Sequence, residues 1–98
     1  MAILVIDDRR EARLLIQVFL ESGGFQDVLT APSAEMAFEI LGISPESEGG
    51  GTAVELILMD IVMDGISGVE ACRKIKSHPA VADVPVVIMT AYTNPAYI

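Results

Sequence analysis

Three apolar runs in this chain share one property: none alternates with polar residues along its length, and each stops at an oxygen-bearing side chain. Ala2-Ile3-Leu4-Val5-Ile6 stops at Asp7-Asp8, Val54-Glu55-Leu56-Ile57-Leu58-Met59 at Asp60, and Val84-Pro85-Val86-Val87-Ile88-Met89 at Thr90. A strand with one solvated face alternates, whereas continuous apolar runs suit strands of a parallel sheet covered on both sides, where ligands gather at the carboxyl ends. That placement predicts that Asp7, Asp8, Asp60 and Thr90 meet at one edge of a sheet.

The segments between the runs supply the crossovers such a sheet needs. Arg9 to Ser22 carries Ala12, Leu15, Ile16 and Phe19 at helical spacing and ends at Gly23-Gly24. Asp27 to Ala31 is a short strand, and Pro32-Ser33 opens a second helix with Ser33 as cap and Ala34, Ala37, Phe38 and Leu41 on one face. Gly42 to Ala53, with Pro45 and Gly49-Gly50-Gly51, reads as a flexible loop with no assigned chemistry. Ser67-Gly68-Val69-Glu70 has capping-box spacing and starts a third helix that runs to about Ser77 before His78-Pro79; Asn94-Pro95 looks like the start of a fourth. The order β-α-β-α-β-α-β calls for right-handed crossovers and a parallel sheet.

Carboxylates crowded within a few ångströms repel, so they share protons or recruit a cation. Mg²⁺ suits such a group: it takes oxygen ligands, keeps several waters and uses one or two carboxylates besides phosphate oxygens. One carboxylate is then left beside the metal as a nucleophile, able to attack a phosphoryl group and form an aspartyl-phosphate, with the Thr90 hydroxyl as a nearby donor.

Fourteen acidic residues against six basic ones give a formal net charge of −8, which disfavours a nucleic-acid partner. No stretch is long and apolar enough to cross a membrane, and no signal peptide precedes the first strand. A lone cysteine, Cys72, gives no disulfide framework and fits a reducing cytoplasm; beside Val69 and Ile75 it reads as a buried structural thiol.

With these residues in this order, the chain resembles the receiver domain of two-component response regulators. The likeness runs through Ile3 to Asp8, Leu56 to Asp60, Met63, Gly68 and Val87 to Ala91. It implies a CheY-like, flavodoxin-like doubly wound α/β fold with strand order 2-1-3-4-5. It also implies that Asp60 is the phosphoacceptor, supplied by a sensor histidine kinase or phosphotransfer protein. By the same likeness, Asp8 and Asp60 directly, Asp7 mainly through water and the backbone carbonyl of Val62 hold Mg²⁺, Thr90 contacts the phosphoryl group and acts as a switch, and the Ala91 amide assists. Such a domain is a signalling switch and not a turnover enzyme, although it assists its own phosphorylation and dephosphorylation.

Two positions depart from the family pattern, Asp64 where a proline is usual and Ser67 where an aspartate is frequent. The fifth strand, which carries a lysine, and the last helix have no counterpart among these residues. The chain therefore reads as one receiver domain over residues 1–98, incomplete at its C-terminus, with homodimerisation or strand exchange through the Val84–Met89 edge as the expected consequence. Blander readings stay open: Asp7-Asp8 as helix-capping acids, Thr90 as a polar strand end, and the whole as a non-cycling docking or dimerisation module. A Walker-B role for Asp60 lacks its glycine-rich lysine loop, and a haloacid-dehalogenase-like phosphatase lacks its second aspartate, since Val62 stands there.

Overall fold

The computed structural model describes residues 2–44, 51–60 and 66–89. Its elements follow the expected alternation: β1 (Ala2–Ile6), α1 (Arg10–Ser22), β2 (Asp27–Ala31), α2 (Ala34–Leu41), β3 (Leu56–Asp60), α3 (Gly68–Ser77) and β4 (Val86–Met89). All pairings are parallel and the sheet order is β2-β1-β3-β4. The four described strands thus have the predicted topology, with β2 and β4 at the edges.

Why the first run is continuous is plain from its burial: every residue of β1 is buried, because it is a central strand covered on both faces. Leu4 and Ile6 join Ile57, Met59, Phe38, Leu41, Ala71 and Ile75 in one cluster, so α2 and α3 share a face of the sheet. Ile3 and Val5 point the other way, toward α1, which packs over β1 and β2. Each fully buried aliphatic side chain of this kind contributes about 1.5–3 kcal/mol relative to exposure.

Local chemistry sets the helix ends. The Ser33 hydroxyl accepts from the Met36 amide at 3.2 Å, and Ala34, Ala37, Phe38 and Leu41 are the buried residues of α2, as their spacing predicts. Gly42 ends α2 in the left-handed region at φ 76°, where a side chain would be strained. The Ser67 hydroxyl accepts from the Glu70 amide at 3.2 Å and caps α3, while the Glu70 carboxylate lies 3.9 Å from the Arg73 guanidinium. His78 ends that helix, ahead of Pro79.

Three expectations need correcting. The helical stripe of α1 is only half used: Ala12 and Ile16 are half-buried, but Leu15 and Phe19 are 71% and 75% exposed. Their side of the helix lies toward β3 and β4, and Leu58, Val87 and Met89 on that part of the sheet are likewise not fully covered by described residues. Cys72 is partly buried against the core rather than fully enclosed. The expected loop from Gly42 to Ala53 lies within the described residues only at 42–44 and 51–53, and its second end is tied to α2. The Thr52 amide donates to the Ile40 carbonyl at 2.8 Å, and a Cβ on Gly51 would collide with the Leu41 carbonyl group and the Gly42 nitrogen. β3 and β4 also begin two residues later than their apolar runs, with Val54 buried and Val84 packed against the core just before them.

Candidate functional site

Parallel register delivers the acidic residues to one place. Ile6 pairs with both Ala31 and Met59, so Asp7-Asp8 follows β1 immediately beside Asp60, the last residue of β3. The Asp7 amide extends the β1–β2 ladder by one bond, donating to the Ala31 carbonyl at 3.1 Å. At this edge Asp7, Asp8 and Asp60 each bring a carboxylate oxygen within 4.8 Å of the others. Two of the three are deeply placed, Asp7 at 2% exposure and Asp60 at 6%.

Burying carboxylates side by side is costly unless something compensates. Compensation comes from the start of α1. Oδ1 of Asp7 accepts from the Arg9 backbone amide at 2.9 Å and from Arg9 Nε at 3.4 Å, while Oδ2 lies 3.4 Å from Arg9 Nη2. The same Nη2 is 3.8 Å from Oδ2 of Asp60, so one guanidinium spans both buried acids. Hydrogen bonding to Asp7, then the charge of Asp7 and more weakly those of Asp60 and Asp8, hold the Arg9 pKa above its ordinary value despite some desolvation. Arg13 joins from the next turn, its Nη1 donating to the Asp7 carbonyl at 2.8 Å.

The cluster opens into a cavity of about 240 Å³ lined by Asp7, Arg9, Ala12, Leu15, Ile16, Asp60 and Met89. Acid oxygens form one wall of this cavity and the apolar side of α1 another. In donor chemistry, three carboxylates at this separation fit a hard divalent ion such as Mg²⁺, which would complete its shell with water and phosphate oxygens. Soft or nitrogen-preferring metals lack their ligands in this set, which contains no histidine or cysteine.

Asp7, Asp8 and Asp60 are therefore brought together as their positions at strand ends predict. Thr90, Ala91 and Val62, along with Asp64 and the expected helix at Asn94-Pro95, lie outside the described residues. The sequence reading missed Arg9 and Arg13. Their signal was a basic residue directly after the Asp-Asp pair and another one helical turn later, on the helix that starts at the site.

Comparisons with known proteins agree with this geometry. The family model described as Response regulator receiver domain matches residues 3–98. The two-component response regulator ORR4 of Oryza sativa subsp. indica is 31% identical over 98% of this chain and 46% of its own length. The transcriptional regulatory protein YvrH of Bacillus subtilis is 33% identical over 97% of this chain and 35% of its own. This chain thus spans less than half of either relative. Among solved structures, the N-terminal domain of a response regulator receiver protein from Methanoculleus marisnigri JR1 superposes with a TM-score of 0.78 at 34% identity, covering 97% of this chain and 71% of that one. Response regulator TrrA from Thermotoga maritima, crystallised in complex with Mg(2+)-BeF, does so with a TM-score of 0.76 at 29% identity, covering 94% and 70%.

Proposed function

Because the chain belongs to the response regulator receiver family, we propose that it is a phosphoryl-accepting signalling switch whose acceptor is Asp60. The observation that carries this reading is the meeting of Asp7, Asp8 and Asp60 at the carboxyl edge of the sheet, with Asp60 opening into the cavity. A carboxylate oxygen of Asp60 attacks the phosphorus of a phosphohistidine on a sensor histidine kinase or phosphotransfer protein, the P–N bond breaks with its electron pair going to nitrogen, and the histidine leaves as neutral imidazole, its ring proton retained or taken from water. Receiver domains of this family are not classical enzymes, and Asp60 is consumed and regenerated as the switch cycles.

Asp7, Asp8 and Asp60, with the Val62 carbonyl, are the proposed ligands of Mg²⁺, which supplies charge neutralisation for the transferring phosphoryl oxygens. The residues of the chain divide the remaining work. Asp7 is fixed by its bonds to Arg9 and to Ala31, so it holds the geometry of the acidic group. Thr90 and the Ala91 amide are assigned to the phosphoryl oxygens and to the loop reordering that a partner reads. TrrA was crystallised with Mg(2+)-BeF, which supports carrying the same chemistry to this chain. Membership of the receiver family supports a cytoplasmic setting as part of the same proposal.

Intact-mass measurement after incubation with a small phosphodonor and Mg²⁺ tests the assignment. The parent chain should gain one phosphoryl group, and Asp60→Asn should gain none. A modification that persists in Asp60→Asn overturns it.

A further inference from the structure

Arg9 sits beside the acids that the proposed cation needs. Its guanidinium lies 3.4 Å from one buried carboxylate and 3.8 Å from another, at the mouth of the cavity that both acids line. Its side chain is still 49% exposed, so it can leave without unpacking any core residue. The Asp7 bond to the backbone amide of Arg9 is separate from the guanidinium, so glutamine or lysine at this position keeps it. Arg13 serves the Asp7 carbonyl and not the carboxylates, which leaves Arg9 as the cation that spans the two buried acids among the described residues.

We propose that Arg9 is a built-in competitor for the divalent cation: its guanidinium neutralises Asp7 and Asp60 when no ion is bound and must swing outward for the ion to enter. The inference rests on the reading of Asp7, Asp8 and Asp60 as the metal-binding group. The guanidinium donates to both Asp7 oxygens and lies 3.8 Å from Oδ2 of Asp60, so a divalent ion drawn to this group meets a like charge a few ångströms away. Arg9 therefore weakens divalent-ion affinity while keeping the empty acidic group folded. It sets the free Mg²⁺ level at which Asp60 becomes competent to be modified.

The experiment is calorimetric Mg²⁺ titration of the full chain, comparing the parent with Arg9→Gln, Arg9→Lys and Asp8→Asn. Removing one unit charge a few ångströms from a divalent ion in a water-exposed site should tighten binding about tenfold in Arg9→Gln. Arg9→Lys keeps the charge and should stay near the parent. In the parent, ¹⁵N relaxation at Arg9 Nε should show the side chain becoming more mobile as Mg²⁺ saturates, reporting loss of its bond to Asp7, whereas an arginine that stays in place keeps its order. Asp8→Asn should bind Mg²⁺ much more weakly. If Asp8→Asn weakens binding but Arg9→Gln binds Mg²⁺ no more tightly than the parent, the competitor role is wrong and the metal-binding reading stands. If Asp8→Asn binds as the parent does, the metal-binding reading falls and the competitor role with it.

Discussion

Asp60→Asn should make the metal-free protein more stable, an outcome opposite to that of most substitutions at a buried polar position. Asp60 is 6% exposed, and its carboxylate oxygen lies within 4.8 Å of oxygens on Asp7 and Asp8. Two unit charges at that separation repel by about 3 kcal/mol at an effective dielectric of about 20, the value that suits buried sites in real proteins. Two such repulsions act on Asp60, reduced by solvent around the half-buried Asp8 and offset by the 3.8 Å pairing with Arg9. Asparagine keeps the shape and one acceptor oxygen, so relief of about 1–2 kcal/mol should remain. For a domain of this size, each kcal/mol moves the melting temperature by about 4–8 °C, a shift easily read by circular dichroism in buffer containing EDTA. Asp7→Asn should show no such gain, because its charge is what strengthens the bonds from the Arg9 amide and guanidinium. Added Mg²⁺ should raise the melting temperature of the parent by mass action and leave Asp60→Asn nearly unmoved. If Asp60→Asn melts below the parent without metal and both respond equally to Mg²⁺, the electrostatic reasoning is refuted.

Two further outcomes test how the fold supports this edge. Ile75→Ala empties a position with 0% exposure between α3 and the sheet and should cost about 2–5 kcal/mol, measured as a lower urea midpoint with little change in slope. Gly51→Ala drives a Cβ into the Leu41 carbonyl group and the Gly42 nitrogen, both backbone, and should cost about 1–3 kcal/mol; an unchanged midpoint would show that this anchor is not required.

Much of this was legible in the chain, for reasons that differ element by element. β1 announces itself because a central strand buried on both faces must be continuously apolar, and Ala2 to Ile6 is. From that single inference the carboxyl-end rule places Asp7 and Asp8, and the same rule applied to β3 places Asp60. Caps were equally readable, since Ser33 and Ser67 each stand just ahead of a periodic run and satisfy an orphan amide there. α1 was legible only in part. Ala12, Leu15, Ile16 and Phe19 form a regular stripe, yet periodicity says that a helix face is apolar and nothing about which half of that face finds a neighbour. The helix sits over β1 and β2, so Leu15 and Phe19 are left facing the β3 and β4 side.

Arg9 escaped for a more instructive reason. Acidic residues at strand ends call for a cation, and oxygen donors favour a metal ion in that place. A side chain can answer the same demand. A guanidinium two residues after Asp7 needs no bound ion, costs little to keep charged, and presents N–H donors where a metal would take oxygens. Charge balance alone therefore cannot distinguish an acidic group waiting for Mg²⁺ from one already neutralised by its own helix. Here the Asp7 and Asp60 side chains are 3% and 8% exposed and the Arg9 side chain is 49% exposed, so the fold encloses the acids and leaves the guanidinium at the rim. A cation at the rim can give way to another with little loss of packing, and that exchange is what the competitor role proposed for Arg9 requires.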